Sequence, residues 1–105
     1  MPGLAERLAA AADAAAPPEG LAPPAQALWW LARGGWRVGP GWERAHAICQ
    51  TAEGEPDHDH VHALAHLIEG DGPNSDYWYR CAGRARQSAD PRAEWAAVAA
   101  ALDRG

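Results

Sequence analysis

The stretch Pro56-Asp57-His58-Asp59-His60-Val61-His62-Ala63-Leu64-Ala65-His66-Leu67-Ile68-Glu69-Gly70-Asp71 decides the fold. A proline opens it and glycines at 70 and 72 close it. Between them Val61, Leu64, Ala65 and Ile68 recur at the i, i+3, i+4, i+7 spacing of a helix with one apolar side. The spacing predicts a helix to about Glu69, with Asp57 or Asp59 as its N-cap. On a wheel of about 100° per residue, His58, His62 and His66 climb one flank with Glu69, and His60 points elsewhere.

Working outward, the same punctuation repeats. Pro23-Pro24 starts a helix through Leu28, Trp29, Leu31 and Ala32 that stops at Gly34-Gly35. Trp36 to Gly41 reads as a loop, and the next helix runs from about Trp42 to Ala52, with Trp42, Ala45 and Cys49 on one side. After the histidine helix, Asp71 caps a fifth helix over about Pro73 to Ala85, with Trp78, Cys81, Ala82 and Ala85 as its buried stripe. Asp90-Pro91 opens a last helix with Trp95, Val98, Ala99 and Leu102 inward. At the start, Leu4, Leu8, Ala11 and Ala15 suggest a marginal helix, loosely attached within residues 1–20 and ended by Pro17-Pro18.

Composition agrees with an all-α reading. Alanine makes up about a quarter of the 105 residues, valine and isoleucine are few, and the length fits a single domain. Phe and Lys are absent and every basic residue is Arg, which points to a GC-rich, bacterial gene. The net charge of -5 and the lack of a basic run argue against nucleic acid as a partner. No apolar run approaches membrane-spanning length, and the N-terminal stretch, carrying Glu6, Arg7 and Asp13, does not read as a signal peptide. The expectation is a cytoplasmic protein in which Cys49 and Cys81 are core thiols.

Shifted by about 36 residues, Leu31 to Gly35 lies over Leu67 to Asp71, and Trp42 to Ala45 over Trp78 to Cys81. Two helical hairpins of tetratricopeptide type thus form the core, residues 24–85, with the last helix at 90–104. A compact bundle of five to six helices suits two copies better than an open array, which normally needs three.

If the third and fourth helices form an antiparallel hairpin, residues whose numbers sum to about 108 lie level. His46 then faces His62, one turn from His66. Neutral imidazoles suit zinc, copper, iron or nickel, and three protein ligands leave a coordination position open. His46, His62, His66 and Glu69 are therefore the candidate ligands of a divalent transition metal, or of a small polar ligand. Ala63 occupies the place where zinc proteases of the His-Glu-x-x-His type carry their base, and the single His66-x-x-Glu69 falls short of a two-iron carboxylate set. No residue is assigned a catalytic role. The bland reading stands beside this one: His58 and His60 solvate a helix face, and His46 is a hydrogen-bonded core residue.

A second candidate set, Asp71, Asn74, Tyr77, Trp78 and Arg80, with Tyr79 beside it, can line a pocket or hold a protein partner. On that alternative the chain is a tetratricopeptide-like interaction module and its histidines are structural.

From Leu28 to Arg84 the chain resembles a group of short, uncharacterised bacterial and fungal helical proteins. The resemblance rests on Leu28-Trp29 with Ala32 and Gly34; on Trp42, Ala45-His46 and Gln50; on His62-Ala63, His66 and Glu69-Gly70-Asp71; and on Asn74, Tyr77 to Arg80 and Ala82-Gly83. It implies that His46, His62, His66, Glu69, Asp71, Asn74, Tyr77, Trp78 and Arg80 belong to a shared pattern, while His58 and His60 lie outside it. Departures are the Arg37 to Gly41 segment, which is extra, and Cys81, where the related sequences usually have Arg.

Overall fold

The computed structural model describes residues 2–104. They form six α-helices: α1 Leu4–Ala10, α2 Pro23–Arg33, α3 Pro40–Gln50, α4 Pro56–Glu69, α5 Gly72–Ala82 and α6 Pro91–Leu102. There is no strand among the described residues, so the all-α bundle is as the sequence reading expects. No helix of it is long and apolar enough to cross a membrane.

Five of the helices, α2 to α6, place proline in the first turn, where its missing N–H would lack an intrahelical partner in any case. Pro40 thereby starts α3 two residues before the expected Trp42, and that helix ends at Gln50. Gly41 permits this early start: a Cβ there would lie 2.5 Å from the Trp30 carbonyl oxygen, so α2 and α3 approach backbone to backbone. The cap of α4 is Glu55, whose carboxylate accepts from the amides of Asp57 and His58. Neither Asp57 nor Asp59 caps it. Asp59 lies inside the helix, fully buried, and accepts from the Gly54 amide at 3.1 Å. Asp71 and Asp90 cap α5 and α6, accepting from Asn74 and Ala93.

α4 is the centre of the molecule, packed against α2, α3, α5 and α6. Residues 58–66 are buried without interruption. This corrects the exposed positions expected for His58 and His60, which are 9% and 5% accessible. A wheel with one apolar side assumes a helix lying on a surface, but a helix ringed by four others has no solvent face.

The core joins Leu8, Leu28, Trp29, Leu31, Ala45, Cys49, Val61, Leu64, Trp95 and Val98. Each large apolar side chain removed from water stabilises the fold by roughly 1.5–3 kcal/mol. Buried indoles also tie elements together through their N–H groups: Trp29 donates to Ala11, Trp42 to Ala65 and Trp95 to Leu28, at 2.9, 2.7 and 2.8 Å. α1 is shorter than its alanine-rich sequence suggests, and it is anchored. Leu8 is fully buried, and the Leu4 amide donates to Asp103.

α5 differs most from its expected packing. It ends at Ala82, where Gly83 turns left-handed at φ +69°. Its buried face is Ser75, Tyr79 and Ala82; Cys81 and Ala85 are exposed, and Trp78 is half-buried. The two inward polar groups find partners: the Ser75 hydroxyl donates to the Ala63 carbonyl at 2.8 Å, and Tyr79 to Glu94 at 2.6 Å. Those bonds turn the helix away from its most apolar face. Cys81 is thus no core thiol, whereas Cys49 is.

Candidate metal centre

α3 and α4 pack at the expected level. Trp42 bonds to Ala65, and His46 Nε2 lies 3.1 Å from His62 Nε2. With His66 one turn along, three imidazoles offer nitrogen atoms that all lie within 4.8 Å of one another. His62 and His66 are buried and His46 half-buried, so the cluster opens to solvent on the α3 side.

The proton inventory defines what these nitrogens can do. His66 Nδ1 bonds to the Glu69 carboxylate, so Nε2 is the nitrogen of this ring left free to ligate. His46 and His62 share one proton between their Nε2 atoms. His62 Nδ1 is sealed from solvent with no partner, so that ring interacts only through Nε2. Burial, with the neighbouring His46 and His66, pulls the His62 pKa down to about 4. Burial and His66 lower that of His46 as well, against the opposing pull of Glu69, Glu43 and Glu53. Neutral imidazole, the form that ligates metals, is the favoured state of both rings.

Two tryptophans hold the rings in place. Trp42 stacks on His46 with centroids 4.8 Å apart and planes 9° from parallel, and Trp78 stacks on His62 at 4.0 Å and 17°. Trp42 also presents an edge to His66. Trp78 is among the candidate site positions, whereas Trp42 stands in the sequence reading on the apolar side of its helix and not among the site residues. Its signal was available in the sequence, since Trp42 precedes His46 by the i, i+4 spacing that brings two rings together.

The remaining candidates divide. Glu69 stands behind His66, orienting it in the manner of a carboxylate behind a metal-bound histidine. Asp71 lies near His66 and Glu69, with oxygen and nitrogen atoms within 4.8 Å, and it caps α5 by accepting from Asn74. Tyr77 is half exposed and packs edge-on against Trp78. Arg80 is exposed on the far side of α5, in a surface hollow with Tyr79, Arg84 and Arg86. His58 is engaged by Glu55, and His60 packs edge-on against Tyr79; neither joins the cluster.

A buried histidine cluster that can hold a metal ion is thus the principal polar feature of α4. Comparison of the chain with family models, with curated proteins and with solved structures gives no match.

Proposed function

We propose that this protein binds a divalent transition metal through His46, His62 and His66, with Glu69 orienting His66 from behind. The observation that carries this reading is the approach of three imidazole nitrogens to within 4.8 Å of one another, one of the rings backed by a carboxylate. Tetrahedral zinc–nitrogen bonds of about 2.0–2.1 Å place ligand nitrogens about 3.4 Å apart. The His46–His62 pair, at 3.1 Å, needs to open by only about 0.3 Å to reach that separation. An ion would replace the proton that these two rings share and draw His66 toward them. Imidazole donors suit zinc, copper, iron or nickel. Three protein ligands would leave a coordination position for water or a small polar ligand, which the half-buried His46 would make reachable from solvent, and a bound metal would supply Lewis acidity there. Of the positions that the sequence pattern groups together, His46, His62, His66, Glu69 and Trp78 would then serve this centre, while Arg80 would not.

The alternative, a tetratricopeptide-like module holding a protein partner, is supported by the half-exposed Tyr77. Trp78, however, already uses its flat face on His62.

The test is elemental analysis of untagged protein, purified without chelator under metal-replete conditions, beside a His62→Ala/His66→Ala double variant. One equivalent of metal in the parent and none in the variant is expected. A parent without stoichiometric metal overturns the reading.

A further inference from the structure

A second polar site lies on the opposite flank of α4. A cavity of about 410 Å³ is bounded by His60, the segment after α5 with Gly83, Arg84 and Gln87, and the Glu94, Ala97 and Ala101 face of α6. Its size falls in the range of small-molecule sites, roughly 300–1,000 Å³. His60 is 5% accessible, and neither of its ring nitrogens bonds to the protein. Nδ1 is sealed, so Nε2 is the nitrogen left to meet whatever enters the cavity.

The frame around it is fixed. Glu94 is fully buried and accepts from Tyr79 Oη at 2.6 Å, from the Gln87 amide at 2.9 Å and from the Ser88 amide at 2.8 Å. Three donors occupy most of what a carboxylate can accept, so Glu94 organises the wall and has little capacity left for a ligand.

The charge at the mouth has the opposite sign. Arg84 lines this cavity and, with Arg80 and Arg86, the adjoining hollow beside Tyr79. Among the described residues none of these three forms an ion pair, whereas Arg104 pairs with Asp57, and Arg33, Arg44 and Arg92 lie over tryptophans. Three guanidinium groups without ion pairs, within seven residues, outnumber the one carboxylate of that hollow, Asp76, and form a local field that attracts anions.

We propose that this cavity binds a small anion, a carboxylate or phosphate group, held by the Arg84 fork and the Nε2–H of His60, with Arg80 and Arg86 steering it in. The site is separate from the histidine cluster and does not depend on metal.

The test is a pair of NMR titrations at constant ionic strength, one with inorganic phosphate and one with succinate. Saturating shifts at His60 and at the Gln87 and Ser88 amides are expected with at least one of them, and the responding probe distinguishes phosphate from carboxylate. Arg84→Ala, a change at an exposed position, should weaken that binding at least tenfold, and Arg37→Ala should leave it unchanged. Non-saturating shifts with both anions, shifts that spare His60, or saturation indifferent to Arg84→Ala would each overturn the proposal.

Discussion

Two polar clusters are buried against α4, and they are satisfied to different degrees. On the α6 side, the Glu94 carboxylate meets three donors, and Tyr79, its hydroxyl pKa pushed up by burial and by Glu94, stays a donor. On the α3 side, His62 has a sealed nitrogen with no partner, and His66 Nδ1 alone is engaged, by Glu69. Buried polar groups stabilise a fold only when their hydrogen bonds are made. The Glu94 network therefore has the character of a structural tie. The histidine cluster retains binding capacity that the fold does not use.

The largest effect that would test this contrast is at Glu94. Glu94→Ala strands a buried tyrosine hydroxyl and two amides, for an expected loss of roughly 3–5 kcal/mol. A domain of this size should then melt more than about 10 °C lower. A loss no greater than that of His46→Ala would break the comparison.

Acid should act on the other cluster. The unfolded chain takes up protons at His62 near pH 6.5, while the folded ring refuses them until about pH 4. The unfolded state thus binds more protons in this window, so the stability present above pH 6.5 declines as pH falls toward 4, by up to about 3 kcal/mol. Denaturant unfolding across that range should show the decline in the parent and a flatter profile in His62→Gln.

Smaller changes separate orientation from stability. Glu69→Gln removes the carboxylate behind His66 and should weaken metal binding by about 10–100-fold with little effect on melting of the metal-free protein, read by competition with a chromophoric chelator. Equal losses in both measurements would mark Glu69 as merely structural. Glu55→Ala, at the cap of α4, is expected to cost about 1 kcal/mol in denaturant unfolding. Metal affinity should be unchanged, because Glu55 engages His58 outside the cluster.

Helix positions were readable because proline and glycine act locally. Pro23, Pro91, Gly70 and the capping Asp71 and Asp90 each determine their own turn through φ or through one side-chain bond. The pairing of His46 with His62 was also legible, because a short connection between two helices leaves little freedom in their register. The faces of α5 were not. Its wheel favours Trp78 and Cys81, but Ser75 and Tyr79 turn inward toward Ala63 and Glu94, which lie 12 and 15 residues away in the chain.

His60 marks the same boundary. The sequence by itself determined six helical segments, the caps of α5 and α6 and the level at which α3 meets α4, since these depend on backbone chemistry and on near neighbours. Only the tertiary structure decided that α4 is enclosed on all sides, that Trp42 and Trp78 clamp the histidine rings, and that His60 faces a cavity beneath Arg84. Burial is a property of what surrounds a residue, and the helices that surround α4 come from both ends of the chain.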